Sequence, residues 1–106
     1  MANPYRVVLM TAPRGRKAEL LAKGLLRERL AACVNVVPGV ISHYRWKGKV
    51  CRDAECLLVA KTSAAKVPAL ERWVAANHPY AVPEVIALKV DRGAKTYLRW
   101  LAGEVA

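Results

Sequence analysis

Residues 31–62 read AACVNVVPGVISHYRWKGKVCRDAECLLVAKT, and this stretch decides the fold. In its first half the side chains alternate in character and are rich in β-branched and aromatic residues. Lys47 and Gly48 supply a turn, and the apolar run 56–60 forms the returning arm. This pattern predicts one long β-hairpin, since glycine readily adopts the positive φ of a two-residue turn. Pro38 and Gly39 interrupt the first arm, where we expect a bulge or a change of partner.

The hairpin is also predicted to mediate assembly. Each arm exceeds the usual strand length of roughly five or six residues. Alternation places Tyr44 and Trp46 on one face of the first arm, and His43, Arg45 and Lys47 on the other. A tip that extends beyond a small domain exposes unpaired backbone and aromatic rings, which further copies of the chain would cover in a closed ring.

The segments that flank the hairpin show strand and helix patterns in turn. Residues 5–12 are a short apolar run typical of a buried strand, and residues 85–90 alternate like a further strand. Helical spacing is found in residues 16–31, in the segment after Thr62 and Ser63, and in residues 95–103. In the second helix Pro68 fits the first turn, and the helix must stop by residue 77 or 78 because Pro79 follows. The predicted buried stripes are Ala18, Leu21, Ala22, Leu25 and Leu26 in the first helix, and Val67, Leu70 and Val74 in the second. In the third helix, Tyr97, Trp100 and Leu101 share one face and form an aromatic stripe.

The order of these elements predicts an α+β fold. It is that of a ferredoxin-like βαββαβ sandwich with a long central hairpin and a short C-terminal helix. With 106 residues, the chain fits a single domain over residues 1–106. No apolar run approaches the ~18 residues of a membrane span, and no signal peptide pattern precedes Tyr5, so we expect a cytoplasmic protein without a membrane partner. The three cysteines are expected to be reduced thiols.

The charge is strongly positive, with 18 Lys and Arg against 8 Asp and Glu, a net charge of +10. This balance favours anionic partners, and nonspecific nucleic-acid binding is one interpretation. The positive residues are spread along the whole chain, which favours a solvated basic surface instead. The sandwich order is shared with RNA-recognition motifs, but the chain has no Phe and lacks their aromatic strand signature, which argues against nucleic acid as a partner.

Sequence motifs of enzymes are absent. The chain contains no GxxxxGK[ST], no GxGxxG and no HExxH, and no nucleophile pattern stands out, so we predict that it is not an enzyme. The proline-rich loop 77–84 holds His78, Tyr80 and Glu84. A histidine, a glutamate and a soft Met10 or Cys33 can together hold a divalent or cuprous ion if the fold brings them close.

Five blocks, RLAACVNVVPGV, YRWKGKV, AKTS, NHPYAVPEVIAL and YLRWL, make the chain resemble the CutA family of divalent-cation tolerance proteins. The resemblance covers about residues 8–101. It implies a ferredoxin-like fold, a cytoplasmic homotrimer locked by long hairpins, copper or another divalent metal ion weakly bound between subunits, and no enzymatic activity. The trimer of this family is similar in shape to PII signalling proteins, so the alternative is a PII-like regulator that binds a small anionic ligand through Lys61.

The resemblance also implies site residues. His78 is the first candidate metal ligand, and Met10 stands where some members have a cysteine and can still serve Cu(I). An intersubunit cleft is implied whose lining residues are Trp46, Lys61, Tyr80, Glu84, Tyr97 and Trp100. We expect the amine of Lys61 to pair with the carboxylate of Glu84 in the same or a neighbouring chain, because a partly buried lysine needs an acceptor.

Overall fold

The computed structural model describes residues 4–106 and shows four strands and three helices. The strands form one antiparallel sheet in the order β2-β3-β1-β4. The elements are β1 (Tyr5–Pro13), α1 (Arg16–Arg27), β2 (Cys33–Trp46), β3 (Lys49–Ser63), α2 (Val67–Asn77), β4 (Ile86–Lys89) and α3 (Lys95–Glu104). The predicted α+β class and the order of its elements are therefore confirmed.

The two faces of the sheet differ. The face formed by Val8, Met10, Ala12, Leu58 and Ala60 packs against α1 and α2, and we call it the helix-covered face. The opposite face, formed by Val7, Leu9, Leu57, Val59 and Lys61, is only partly covered, and we call it the open face. The side chains of adjacent residues thus enter two different environments, because strand side chains alternate.

The helices follow the predicted stripes with one exception. In α1 the residues Ala18, Leu21, Ala22 and Leu25 are buried, but Leu26 is 43% exposed, so the prediction of its burial is wrong. Gly24 is buried in its place, because the ring of Trp73 on α2 approaches so closely that a Cβ at residue 24 would lie 2.4 Å from it. The buried stripe of α1 therefore includes Gly24, whose small size lets α1 and α2 pack closely.

The start of α2 agrees with the prediction that Pro68 lies in the first turn of the helix. A 3₁₀ turn (Ala64–Lys66) precedes the helix, Pro68 lies in its first turn, and α2 ends at Asn77. In α3 only Leu101 of the predicted stripe is buried, while Tyr97 is 42% exposed and Trp100 is 46% exposed. The aromatic part of this stripe is therefore largely exposed in the single chain.

The hairpin is built from β2 and β3, with a turn at Lys47 and Gly48. Both residues have positive φ, as a two-residue turn of type I′ requires. The pairing shifts between Val37 and Val40, so that Pro38 and Gly39 together lie opposite one residue, Cys56. The predicted bulge is confirmed. The molecule is elongated, measuring 43 × 26 × 24 Å, and β2 forms one edge of the sheet.

Within residues 4–106, none of the three helices combines the length and the hydropathy that crossing a lipid bilayer demands.

Candidate functional site

His78 is held at the end of β1 by two hydrogen bonds. The pairing of β4 with β1 ends at Ile86 opposite Leu9, and the carbonyl of Thr11, further along β1, lies 2.8 Å from Nε2 of His78. The backbone N–H of Tyr80 lies 3.1 Å from Nδ1. Because Nδ1 accepts this hydrogen, Nε2 must carry the proton that it donates to the carbonyl. The imidazole is 8% exposed and uses both ring nitrogens within the chain.

This geometry bears on metal binding, since a metal takes a lone pair of a ring nitrogen. Coordination by His78 would require the loss of one of its two hydrogen bonds. Met10 is 1% exposed in the apolar core on the helix-covered face. Cys33 pairs with Lys61 across β2 and β3, and Lys61 pairs with Val7 of β1. Val7 is four residues from Thr11, which corresponds to about 13 Å along a strand. The three predicted ligands thus lie at three separate places in the chain.

A cleft of about 980 Å³ opens between the outer part of the hairpin and the loop that follows α2. Among its lining side chains are three carboxylates and several aromatic rings, and none of the residues that line it is Lys or Arg. The residues that matter most are Tyr44, Trp46, Asp53, Glu55, Tyr80 and Glu84. The cleft is therefore acidic and aromatic, in contrast to the basic chain as a whole.

Glu55 is the most deeply placed of these carboxylates. It is 6% exposed, and the hydroxyl of Tyr80 donates to its Oε2 at 2.7 Å. Burial, and then this hydrogen bond, raise the pKa of Tyr80 above its ordinary value, so the phenol stays protonated and remains a donor. Tyr80 thus fixes the orientation of Glu55 at the floor of the cleft.

A second tyrosine and the two other carboxylates lie nearer the rim. The hydroxyl of Tyr44 donates to Asp53, and this hydrogen bond is the main reason that the pKa of Tyr44 rises to about 12. Partial burial, followed by the negative charge of Glu55, raises the pKa of Glu84. Glu84 and Glu55 therefore repel each other across the cleft, and a bound cation would relieve that repulsion.

Asp53 and Glu55 were not predicted as site residues. A signal for them does exist in the sequence, because Pro38 and Gly39 suggest a bulge. Counting one extra residue there pairs Ser42 with Asp53 and Val40 with Glu55, on the same face as Tyr44 and Trp46. The contact between Glu55 and Tyr80 has no such signal, since the two residues are 25 positions apart in different elements.

Lys61 lies in a different cluster, at the base of the hairpin on the open face. Its amine donates to the side-chain carbonyl of Asn35 and lies 3.9 Å from the sulfur of Cys33. The expected pairing with Glu84 is therefore not made within the chain. Burial, and then the neighbouring Cys33, raise the pKa of Tyr97, and the rings of Tyr97 and Trp100 are 5.5 Å apart. Within one chain, the six residues assigned to one cleft occupy two places: Trp46, Tyr80 and Glu84 line the cleft, and Lys61, Tyr97 and Trp100 lie at the hairpin base.

In the described part of the chain, no three or more His, Cys, Asp or Glu residues form a group that could hold a metal ion. Glu55 and Glu84 interact through their charges, and their carboxylate oxygens are the kind of ligand that hard divalent cations prefer.

Comparison with known proteins gives a consistent result. The profile of the family described as CutA1 divalent ion tolerance protein matches residues 6–104. The divalent-cation tolerance protein CutA of Thermus thermophilus is 52% identical over 95 residues, which cover 90% of this chain and 92% of that protein. The chloroplastic CutA of Arabidopsis thaliana is 48% identical over 92% of this chain, which spans only 54% of that protein. The crystal structure of CutA from Xylella fastidiosa superposes with a TM-score of 0.94 at 40% identity, covering 97% of this chain and 99% of that one.

Proposed function

Because this chain belongs to the CutA1 divalent ion tolerance protein family, we propose that it is a non-enzymatic homotrimer that binds divalent cations weakly in the cleft beside the hairpin. The family is named for tolerance of ions and not for a reaction. The observation that carries the proposal is the charge of the cleft. Of the eight acidic residues in a chain of net charge +10, three line this one cavity, without a Lys or Arg beside them.

The electrostatics of the cleft support a cation as the ligand. Among residues 4–106 none of the carboxylates of Asp53, Glu55 and Glu84 has an ion-pair partner. A carboxylate in a partly desolvated site gains most from a neighbouring positive charge, since the solvent screens that attraction less than on an open surface. A divalent cation between Glu55 and Glu84 would supply this charge, and water or a neighbouring chain would complete its shell.

Weak binding follows from the number of ligands. Sites that bind calcium tightly use six to eight oxygen ligands. The cleft of one chain offers fewer, and Tyr80 already uses one oxygen of Glu55. Copper is included among the candidate ions, because Cu²⁺ accepts mixed nitrogen and oxygen ligands and the cleft supplies carboxylate oxygens.

The cation proposal is tested by isothermal titration with Cu²⁺, Zn²⁺ and Ca²⁺, each in turn. Glu84→Gln, which keeps the shape and removes the charge, is expected to lower the uptake of the ions that bind the parent. The matched control is Glu71→Gln, an exposed substitution on α2 outside the cleft. Equal uptake by the parent and Glu84→Gln would refute the cleft as the binding site.

The trimer is supported by apolar surface on the open face and hairpin. Ile86 and Leu88 of β4 are 49% and 47% exposed on the open face, and Trp46 at the hairpin tip is 45% exposed. Exposed apolar side chains two residues apart on one face of a strand, as Ile86 and Leu88 are, indicate contact with another molecule. Closed rings of identical chains bury such surface repeatedly, which is the predicted use of the hairpin.

Light scattering coupled to size exclusion tests this part of the proposal. The parent is expected to have the mass of three chains, and Ile86→Lys is expected to shift it toward one chain. Leu20→Lys is the control, because Leu20 is 54% exposed on α1, away from the open face. A parent of single-chain mass would refute the trimer while leaving the titration experiment intact.

A further inference from the structure

The cleft beside the hairpin is much larger than a metal ion needs. A divalent ion with six bound water molecules occupies roughly 200 Å³, at about 30 Å³ for each water. The cleft measures about 980 Å³, which lies within the range typical of sites for small organic molecules. A metal ion at Glu55 and Glu84 would leave most of this volume to water, so the cleft has room for an organic ligand.

One carboxylate at the floor of the cleft lacks a cationic partner. Glu55 is 6% exposed, and the hydroxyl of Tyr80 donates to its Oε2. Among residues 4–106 no other group donates a hydrogen bond to this carboxylate, and no Lys, Arg or His forms an ion pair with it. A glutamate this deeply buried is usually paired with a positive charge. The second oxygen, Oε1, is thus available to a ligand that brings both a charge and an N–H donor.

A second carboxylate on the same strand lies at a spacing that does not suit one metal ion. Asp53 and Glu55 are two residues apart on β3, so their side chains leave the same face about 7 Å apart. Each carboxylate accepts a hydrogen bond from its own tyrosine, Tyr44 or Tyr80. Two oxygens that bind one ion are at most roughly 5 Å apart, because each lies about 2.5 Å from the metal. Two ammonium groups joined by three or four methylene groups match the longer spacing.

The uncharged side chains of the cleft suit the carbon part of such a ligand. The rings of Tyr44, Trp46 and Tyr80 line the cleft, and so do the apolar side chains of Ile41 and Val82. Methylene groups gain from contact with apolar surface, and ammonium groups are attracted to the faces of aromatic rings. A hydrated metal ion gains little from either contact. The combination of carboxylates and rings, without Lys or Arg in the lining, therefore suits an alkylammonium ion.

We propose that the cleft is also a binding site for linear diammonium ions of the polyamine class, with one ammonium group at Glu55 and the other at Asp53. The methylene chain between them lies against Tyr44 and Trp46. The inference rests on the proposed function only in requiring an acidic cleft that attracts cations. Because Glu55 serves both kinds of ligand, a diammonium ion and a metal ion compete for the cleft.

Isothermal titration of the full chain with diaminobutane, in an amine-free buffer at pH 7, tests the proposal. Both amino groups are protonated under these conditions, as the side chain of lysine is. Butylamine is the control ligand, because it has the same carbon chain and only one ammonium group. We expect diaminobutane to bind roughly fivefold more tightly than butylamine, which is the effect of one further ion pair near a surface.

Variants of the two carboxylates identify where each ammonium group binds. Asp53→Asn should weaken the binding of diaminobutane roughly fivefold and leave that of butylamine unchanged. Glu55→Gln should weaken both amines. Glu71→Gln, an exposed substitution on α2 outside the cleft, is the matched control and should change neither.

The comparison of the two amines on the parent needs no variant, so it holds even if a substitution disturbs folding. The proposal is overturned if both amines bind the parent equally, or if the parent and Asp53→Asn bind diaminobutane equally. The metal titration described above separates this inference from the proposed function. Uptake of metal without binding of diaminobutane would refute the inference alone. Binding of diaminobutane without uptake of metal would support the inference and refute the metal site.

Discussion

The two faces of one sheet follow different rules in this protein. On the helix-covered face Val8 and Leu58 are fully buried among apolar neighbours and Met10 is 1% exposed. On the open face the intervening residues Leu9 and Leu57 stay partly exposed, and polar side chains form specific hydrogen bonds. The first face specifies the fold, since close packing against the helices decides its stability. The second is free to carry binding groups and contacts with other chains.

The largest effect is expected from two adjacent leucines that point to opposite faces. Leu58→Ala removes a fully buried side chain and should cost about 2–5 kcal/mol of unfolding free energy. Leu57→Ala removes the same atoms from the open face and should cost much less. Urea denaturation at one fixed protein concentration measures both. Equal losses would mean that the open face is packed as tightly as the other.

The contact between α1 and α2 provides the next test. Gly24→Ala places a methyl group against the ring of Trp73, and this overpacking should lower stability by about 1–2 kcal/mol despite the better helix propensity of alanine. Gly103→Ala in α3, where an added Cβ meets nothing within 4 Å, is the matched control and should be neutral or slightly stabilising. Thermal unfolding compares the two. A stabilised Gly24→Ala would show that Trp73 moves away at little cost.

A third test compares two tyrosines that each donate to a carboxylate in the cleft. Tyr80→Phe leaves the buried Glu55 without its donor and should cost about 1–3 kcal/mol. Tyr44→Phe removes the exposed bond to Asp53 and should have a smaller effect, because water replaces the donor. Chemical denaturation of both variants measures the loss of unfolding free energy and shows whether burial determines how much each hydrogen bond contributes. Equal losses in Tyr44→Phe and Tyr80→Phe would contradict this expectation.

The smallest effect concerns pH. Because the pKa of Glu84 is raised in the folded state, folding favours its protonated form, and its contribution to stability is lost as pH rises through the carboxyl range. Glu84→Gln should therefore raise the melting temperature at pH 7. This gain should vanish at acidic pH, where Glu84 is protonated in both states. A gain independent of pH would point to packing and not to charge.

The fold could be predicted because its signals are local. Lys47 and Gly48 fix the turn, Pro68 fixes the start of α2, and alternation or helical spacing marks each element. Leu26 was misplaced for a long-range reason. The stripe of α1 turns toward Gly24 because Trp73, 49 positions later, needs that space, and spacing within one helix carries no such information.

The site was less predictable, since its contacts join distant elements. His78 was recognised as a special residue, but its hydrogen bond to the carbonyl of Thr11 depends on where β4 stops. Lys61 was expected to need an acceptor and has one, yet within the chain that acceptor is the neutral Asn35 and not Glu84. Glu55 was missed because its partner, Tyr80, comes from a loop whose path the sequence does not reveal.

The extra residue at positions 38 and 39 has a consequence for how this chain can change by insertion and deletion. Because the bulge places two residues opposite Cys56, the pairings on either side of it, Val37 with Leu57 and Val40 with Glu55, do not need the extra residue. Deleting one codon there would remove the bulge and leave Tyr44 and Trp46 on the cleft side of the hairpin. This segment can therefore lose one residue in the course of evolution without changing the set of side chains that faces the cleft.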